Sequence, residues 1–496
     1  MENSFPSSTQ SPPKPHIVLF PFMSKGHTIP LLHLARLLLR RDASITIFTT
    51  PANAPFITKS LPSNHPHLTI LTLPFPHHHP PLPPGVESTD KLPSISLFLP
   101  FVSASKLLKP HFDLALPPSP PPPPPSSPTA SSHGLSPPLP PSPFLASNYA
   151  VAVSRAVSLH RLVATVNSPD EPFSIPTFPW IRLTINDLDP PFNDPNPSGP
   201  LFDHVMEVAM ATMNSHGMLV NSFYELEPVF ADNIIRDLKL KTWNVGPLSL
   251  AVAEDQQQQQ HETILNNHHD DKNKRSYYMQ WLDEMEKEGK SVLYVAFGSQ
   301  ADISKAQIME IGHGLEKSGV NFMWVVRSSS SHAPEHESCT YKNDDDDESI
   351  LLWFGEFEER VRGRGVVVRE WVEQVNVLMH RVVRGFMSHC GWNSVVESVC
   401  AGVVLVAWPM MAEQHLNARM VVEELGVGVR VTAEGGGVRG FVKAEMVEAA
   451  VREVMEGERG KEVRRRVEEL REGARKAVRE GGSSWKALDD LLQEIN

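Results

Sequence analysis

The sequence predicts an α/β protein with doubly wound parallel sheets, in which helices cover both faces of each sheet. Short apolar runs rich in Val and Ile alternate along the chain with amphipathic stretches of helical period. Several of these runs are followed by glycine and polar residues, as expected where parallel strands end and ligands bind. The length of 496 residues suits about two to three domains.

Composition and charge narrow the class of protein. The net charge of −13 argues against nucleic acid and anionic membranes as partners. Cys339, Cys390 and Cys400 show no paired spacing, which favours a reducing compartment. Residues 1–15 are rich in Pro and Ser and lack the basic start and apolar core of a signal peptide. No apolar run reaches the ~20 residues that span a membrane, so we expect a cytoplasmic protein.

The first predicted β-α-β unit consists of the strand His16–Phe22, the helix Ile29–Arg40 and the strand Ser44–Thr50. His27 lies in the turn after the first strand, where such a unit presents ligand-binding residues. A histidine that titrates near neutrality can accept a proton from an attacking hydroxyl. A turn histidine without a role is the plainer alternative.

The next segments are less regular. Residues 61–94 are predicted to form a loop, in which His77–His79 is a solvated run and not a metal site. Ser94–Leu116 is predicted to be a helix broken or bent at Pro100 and Pro110. Further expectations are helices at Ala150–Thr165, Leu201–Ser215 and Glu225–Lys239, a loop from Phe178 and a strand at Gly217–Asn221.

Residues 116–147 are dominated by proline and serine. Prolines remove backbone donors and clash with the preceding helical turn, so neither a strand ladder nor a helix interior is expected here. No Asp or Glu occurs between Asp113 and Asp170. Two explanations stay open. One is a shifted reading frame, in the gene or its prediction, that is restored near Tyr149. The other is a genuine replacement.

Beyond a polar linker at 251–275, strands and helices alternate again. Ser299 lies in a Phe-Gly-Ser turn after a buried strand. The acidic run Asp344–Asp347 is interpreted as a solvated loop. The predicted elements are the helices Tyr277–Glu288 and Lys305–Ser318 and the strands Ser291–Phe297, Phe322–Val326 and Val366–Arg369.

The densest group of polar and aromatic residues is the stretch Trp371–Gln414, which we call the signature box. Its centre predicts a strand at Val382–Ser388, a glycine-containing turn, and a helix that starts near Asn393 or Ser394 and ends at Gly402. A strand at Val403–Ala407 follows. A helix start behind such a turn favours an anion.

The neighbours of that turn favour a nucleotide sugar over a purely structural helix start. Ser394 and Glu397 fit a capping box, which is the plainer explanation. However, the aromatic ring of Trp371 and the amide of Gln374 precede the turn. The carboxylate of Glu413 and the amide of Gln414, which suit hydroxyl groups, follow it.

The signature box resembles that of plant family-1 UDP-glycosyltransferases at nearly every diagnostic position, and the resemblance extends over most of the chain. It implies the GT-B fold, in which two doubly wound, Rossmann-like domains face each other across a cleft. The implied UDP-sugar contacts are Trp371 on uracil, Val372 and Gln374 on uracil and ribose, Ser299, His389, Gly391, Asn393 and Ser394 around the diphosphate, Glu397 on ribose, and Trp392, Glu413 and Gln414 on the sugar.

The resemblance also implies that His27, within Gly-His-x-x-Pro, is the catalytic base. Family members carry an aspartate that orients this histidine, on a strand whose place is taken here by residues 116–147. Asp113 belongs to the preceding helical stretch and does not match that motif. The usual partner of His27 is therefore expected to be missing.

The predicted domains are a disordered start at 1–15, an acceptor-binding domain at 16–250, the linker 251–275, a UDP-sugar-binding domain at 276–475 and a returning helix at 476–496. The implied reaction is inverting transfer of glucose from UDP-glucose to a hydroxyl of a small lipophilic or phenolic acceptor, by a monomer without metal or cofactor. Gln414 resembles the residue of glucose users.

Two other classes stay open. A catalytically impaired UDP-sugar-binding protein would follow from the missing aspartate. A dinucleotide-dependent oxidoreductase is disfavoured, because no Gly-x-Gly-x-x-Gly follows the first strand.

Overall fold

The computed structural model describes residues 14–62, 64–116, 147–251, 276–326 and 347–495. The predicted α/β class is confirmed, because parallel sheets and surrounding helices make up the described chain. Most of the Pro-rich stretch 116–147, nearly all of the linker 251–275 and the first residues of the acidic run lie outside these ranges.

The N-terminal half contains two separate parallel sheets and a hairpin. One sheet has the order β1-β2-β3, β4 and β5 form the antiparallel hairpin, and β6 pairs with β7. Within the described ranges, β1 and β6 each have a single strand neighbour. The strands are β1 (His16–Leu19), β2 (Ser44–Thr49), β3 (Leu68–Thr72), β4 (Phe173–Ile175), β5 (Phe178–Leu183), β6 (Gly217–Val220) and β7 (Lys241–Asn244).

The N-terminal helices cover these sheets. A 3-10 turn at Tyr224–Leu226 and a π-helical turn at Ile234–Leu238 flank the last of them. The helices are α1 (Lys25–Arg40), α2 (Ala54–Lys59), α3 (Phe98–Lys106), α4 (Lys109–Ala115), α5 (Asn148–Leu159), α6 (Pro200–Met213) and α7 (Pro228–Asn233).

The C-terminal half contains one continuous parallel sheet of six strands, in the order β10-β9-β8-β11-β12-β13. The chain runs outward from β8 to β10 and then returns to the other side of β8, so the strand order reverses between β8 and β11. Ligands of open α/β sheets bind at such a reversal. The strands are β8 (Val292–Ala296), β9 (Asn321–Val325), β10 (Gly365–Val368), β11 (Val383–Ser388), β12 (Val404–Ala407) and β13 (Gly428–Arg430).

Nine helices are described in this half, and none of the helices in the described ranges of the chain is long and apolar enough to cross a membrane. The last helix packs Leu488 and Leu492 into the core formed by β1 and β2, so the chain ends against its N-terminal half. The helices are α8 (Tyr277–Lys287), α9 (Lys305–Ser318), α10 (Asp347–Arg360), α11 (Gln374–Leu378), α12 (Trp392–Ala401), α13 (Gln414–Arg419), α14 (Ala444–Met455), α15 (Glu458–Val478) and α16 (Ser483–Ile495).

Three expectations for the N-terminal half were wrong. The supposed loop at 61–94 contains β3, and the loop expected from Phe178 is strand β5. The helix expected at Ser94–Leu116 starts only at Phe98 and runs through Pro100 without a break, whereas the break between Lys106 and Lys109, directly before Pro110, agrees with the expectation. Both prolines lie in the first turn of their helices, where a missing N–H leaves no helical bond unmade.

Candidate active site

The candidate site lies at the reversal of strand order in the C-terminal sheet. Ser299 follows β8 and His389 follows β11, so the topology brings two predicted diphosphate contacts to one sheet edge. A Cβ at Gly298 would lie 2.8 Å from Nε2 of His389, and one at Gly391 would lie 2.5 Å from the same atom. Both glycines are therefore needed for the imidazole to fit between the two turns.

The helix behind this turn, α12, starts at Trp392, one residue earlier than predicted, and ends at Gly402 with φ of +72° as predicted. Gly391 is its N-cap residue and makes no side-chain capping bond. The capping box of Ser394 and Glu397 is therefore not formed, because Ser394 lies inside the first turn. The helix start keeps backbone N–H groups and the positive end of its dipole for a ligand.

The side chain of Gln374 bonds to two polar residues of that helix. Its Nε2 donates to Oγ of Ser394 over 3.0 Å and to a carboxylate oxygen of Glu397 over 2.8 Å. Burial raises the pKa of Glu397 to about 7, although the bond from Gln374 acts in the opposite direction. The predicted uracil, ribose and diphosphate contacts thus form one connected group.

Trp371 is 39% exposed, whereas the adjacent Val372 is buried. The ammonium of Lys25 lies 4.2 Å from the centroid of the Trp371 ring, in a cation–π contact that spans the two halves of the chain. Lys25 is also within 3.7 Å of a carboxylate oxygen of Asp90. One face of the Trp371 ring, which is predicted to stack on uracil, therefore contacts a cation from the N-terminal half.

Glu413 and Gln414 close the signature box at the start of α13. The Oε1 atom of Gln414 accepts from the backbone N–H groups of Met410 and Met411, each over 3.0 Å. This pair of bonds fixes the amide and leaves its Nε2 as the group that a sugar hydroxyl would meet. Burial raises the pKa of Glu413.

Two residues of the helix start contact the N-terminal half. Trp392 is buried, and its indole N–H donates to the backbone carbonyl of Asn221 over 3.0 Å. Nδ2 of Asn393 donates to the carbonyl of Gly26 over 2.8 Å, in the residue that precedes His27. The predicted diphosphate end of the site therefore lies against the turn that carries the predicted base. The sugar contact of Trp392 stays a prediction.

The comparisons with known proteins agree with this geometry. The family model described as "UDP-glucoronosyl and UDP-glucosyl transferase" matches residues 269–472. The chain is 45% identical to UDP-glycosyltransferase 90A1 of Arabidopsis thaliana, over 97% of this chain and 96% of that protein. The chain belongs to the plant family-1 UDP-glycosyltransferases. It is an enzyme, a UDP-dependent glycosyltransferase, and the alternative of an impaired binder is not favoured.

Other family members extend the likeness. The chain is 33% identical to the UDP-glucose flavonoid 3-O-glucosyltransferase 7 of Fragaria ananassa, over 98% of this chain and 97% of that one. Among solved structures, Glycyrrhiza uralensis UGT73P12 complexed with glycyrrhetinic acid 3-O-monoglucuronide matches with a TM-score of 0.75 and 26% identity, covering 97% and 96% of the two chains. Arabidopsis thaliana UGT89C1 complexed with UDP-L-rhamnose matches with a TM-score of 0.63 and 29% identity, covering 97% and 99%. The GT-B fold of these glycosyltransferases is thus confirmed for this chain.

His27 of this glycosyltransferase lies in the first turn of α1 and is partly buried against the edge of the Phe22 ring, with 5.3 Å between ring centroids. Burial lowers the pKa of His27 to about 4, so the imidazole is neutral at pH 7 and able to accept a proton. Among the described residues, no side chain is hydrogen-bonded to this ring. Asp113 is exposed and paired with Lys109 over 2.7 Å.

A second group of titratable side chains lies outside the site. Asp283, Glu286 and His380 bring ligand atoms within 4.8 Å of one another. Nδ1 of His380 accepts from the backbone N–H of Val382 over 3.5 Å, so the proton of the neutral ring is on Nε2. That nitrogen then donates to Asp283 over 3.1 Å and is not a metal ligand. The cluster is a hydrogen-bonded contact between α8 and the residues that follow α11.

Sequence reasoning missed the residues of the N-terminal half that contact the signature box. Lys25, Gly26 and Asn221 contact it directly, and Thr89 accepts from Nε2 of Gln300 over 2.6 Å beside Ser299. The partners are more than 170 residues apart in the chain. No local pattern could have paired them.

Proposed function

We propose that this protein transfers glucose from UDP-glucose to a hydroxyl group of a small phenolic or lipophilic acceptor, with inversion at the anomeric carbon. The observation that carries the proposal is the 2.8 Å bond between Asn393 and the carbonyl of Gly26. It links the predicted diphosphate contacts to the turn of His27, so a proton acceptor and a leaving-group site share one cleft.

In the proposed reaction, the neutral imidazole of His27 removes the proton of the acceptor hydroxyl. The oxygen attacks the anomeric carbon from the face opposite UDP. The bond between that carbon and the phosphate oxygen breaks, and its electron pair leaves with UDP. The N-terminal end of α12 stabilises the charge that develops on the diphosphate.

The choice of glucose rests on Gln414 and Glu413. The Gln414 amide is held by two backbone N–H groups, which aims its amino group rather than its oxygen at a ligand. An amino donor and a neighbouring carboxyl suit adjacent hydroxyl groups of a hexose. The strawberry relative, named for its use of UDP-glucose and a flavonoid, supports the same donor and a phenolic acceptor.

Further expectations accompany this proposal. The chemistry assigned to His27 and α12 needs neither a metal ion nor another cofactor. The absence of paired cysteine spacing supports a cytoplasmic location. A monomer is sufficient, because both halves of the site come from one chain.

The test is a turnover screen with the purified chain. UDP-glucose, UDP-galactose and UDP-L-rhamnose are each offered with a panel of flavonols and simple phenols, and products are identified by mass and anomeric proton coupling. We expect a β-glucoside from UDP-glucose, formed at least about tenfold faster than the other products. A retained anomeric configuration, or preference for another sugar, would contradict the proposal.

The binding part of the proposal is tested separately with Trp371→Ala. Loss of the stacking plate should weaken UDP by about tenfold or more, measured by calorimetry. Trp353→Ala, which removes an indole packed on Phe357 away from the signature box, is the matched control and should leave UDP affinity unchanged.

A further inference from the structure

A chain of hydrogen bonds between amide groups crosses the cleft next to His27. The backbone N–H of Leu248 donates to Oδ1 of Asn221 over 3.0 Å. Nδ2 of Asn221 then donates to Oδ1 of Asn393 over 3.2 Å, and Nδ2 of Asn393 donates to the carbonyl of Gly26 over 2.8 Å. We call these four groups the amide relay. It starts and ends in the N-terminal half and passes through the first turn of α12.

The two ends of the relay determine the orientation of both side-chain amides. A backbone N–H can only donate, so the atom of Asn221 that meets Leu248 must be the oxygen. A backbone carbonyl can only accept, so the atom of Asn393 that meets Gly26 must be the nitrogen. The central contact is then N–H to oxygen without any conflict, and a flip of either amide would place like groups against each other.

Asn221 is held rigidly in this position. It is 5% exposed and follows the last residue of β6. Its own carbonyl accepts the indole N–H of Trp392 over 3.0 Å. A Cβ on Gly246 would lie 2.5 Å from Oδ1 of Asn221, so the neighbouring chain packs directly against the amide. These contacts restrict Asn221 to one position, from which its side chain can orient Asn393.

We propose that Asn221 is a positioning residue of the transfer reaction, which orients Asn393 so that one amide group joins the His27 turn to the donor diphosphate. The inference rests on the proposed function, in which Asn393 contacts the diphosphate. An amide nitrogen carries two hydrogens. In the relay, one hydrogen of Asn393 bonds to Gly26 and the second is directed elsewhere, where a phosphate oxygen can accept it.

The substitution Asn221→Asp tests this role because its effect depends on pH. One carboxylate oxygen still accepts from Leu248. The other, when ionised, is only an acceptor, so Asn393 must turn its nitrogen towards it and lose its donor to Gly26 and to phosphate. When the carboxyl is protonated it donates to Asn393 and restores the relay. Burial raises the pKa of such a carboxyl, which brings the change into the range near neutrality.

We expect Asn221→Asp to bind UDP about tenfold more weakly than the wild type at pH 8, and within about twofold of the wild type at pH 5.5. Calorimetry with UDP as the ligand measures both. The turnover number with the best phenol of the panel should follow the same pH pattern. Equal affinity and equal turnover in Asn221→Asp and the wild type at both pH values would overturn the proposal.

Asn244→Asp is the matched control. Asn244, the last residue of β7, is also a buried asparagine, and its Oδ1 accepts from Nδ2 of Asn148 over 2.7 Å. This variant introduces the same buried carboxyl without touching the relay. Its ratio to the wild type should not change between pH 8 and pH 5.5, and a change as large as that of Asn221→Asp would also overturn the proposal.

Asn221→Ala covers the case in which the aspartate variant does not fold. It removes the support without reversing its polarity, so we expect an affinity loss of about threefold that is the same at both pH values. Unchanged UDP affinity and turnover in this variant would count against the relay. Failure of the wild type itself to bind UDP would instead overturn the proposed function, and the relay's role with it.

Discussion

The two halves of the molecule build their sheets differently. In the C-terminal half, six parallel strands form one sheet, and the predicted diphosphate contacts follow its two central strands. In the N-terminal half, the described strands form a three-stranded sheet, a two-stranded sheet and a hairpin. The C-terminal half presents its predicted ligand groups from one continuous sheet. The N-terminal half relies on contacts with the C-terminal half to hold the turn of His27 in position.

The contacts between the two halves fall into two groups, one beside the candidate site and one away from it. Beside the site, the side chain of Asn393 donates a hydrogen bond to Gly26, and that of Gln300 donates one to Thr89. Away from it, the buried carboxylate of Asp187 pairs with two arginines of the C-terminal half. The groups predicted to bind the donor belong to the C-terminal half, and Asn221 supports one of them from the other half, whereas chemistry also needs His27 and therefore the alignment of both halves. The following variants separate these two properties.

The largest effect is expected from His27→Ala. Loss of the base should lower the turnover number by about 10²–10⁴-fold, while UDP affinity stays the same. His33→Ala is the control, because His33 lies in the same helix α1 and burial lowers its pKa to about 4 as well. Turnover with UDP-glucose and a phenol measures both variants. Equal losses in the two would mean that the effect is structural.

Asp187→Ala should weaken the junction of the two halves. The carboxylate is fully buried and lies 3.5 Å from Arg419 and 3.2 Å from Arg430. Its removal leaves two largely buried guanidinium groups without this counter-charge, so we expect a loss of about 3–5 kcal/mol in the free energy of unfolding. Urea unfolding measures it, and a separate transition for each half would mark the broken junction.

The control for that variant is Asp113→Ala, which removes an exposed ion pair with Lys109. Exposed pairs contribute little, so its unfolding curve should nearly coincide with that of the wild type. An equal loss in both variants would contradict the assignment of Asp187 to the junction.

Glu227→Gln tests the support inside the N-terminal half. Its carboxylate accepts from Nδ2 of Asn148 over 3.0 Å and from the backbone N–H of Tyr149 over 2.9 Å, at the start of α5. An amide would turn its amino group towards one of these donors, which should cost about 1–3 kcal/mol in the free energy of unfolding at pH 7.5. Glu225→Gln, at a neighbouring exposed position, should change it much less. A smaller loss for the buried position than for the exposed one would refute this account.

The smallest effect concerns pH. Burial lowers the pKa of His27 from 6.5 to about 4, and only the neutral ring can accept a proton. The fraction in the active form therefore stays high as the pH falls from 7.5 to about 5.5, and decreases only near pH 4. The turnover number at saturating UDP-glucose should show this flat region. A decrease centred near pH 6.5 would show that the ring is more exposed or paired during catalysis.

The sequence predicted the secondary structure of the signature box well because its signal is local. Strand β11, the glycine turn and α12 are consecutive, and Gly402 ends the helix where expected. The supposed capping box was wrong because Gly391 became the N-cap and the side chain of Gln374, from a separate helix, bonded to Ser394. Packing between elements, not local preference, decided that detail.

The N-terminal half was predicted less well for the same reason. The short strand β3 is only partly buried and follows a histidine- and proline-containing turn, so its sequence pattern predicts a loop. Asn221 carried no local signal beyond the end of a strand, because its role depends on Leu248 and on Asn393. Contacts between distant parts of a chain become visible only in three dimensions.

The bond between Asn393 and Gly26 joins residues that are 367 positions apart in the chain. Such a contact closes one of the longest loops in the molecule, and closing a long loop costs more chain entropy than making a local contact. During synthesis, Gly26 emerges long before its partner exists. The turn that contains Gly26 and the helix α12 can therefore each be present before the bond between them has formed. Alignment of the two parts of the site therefore depends on a contact that neither half can make alone.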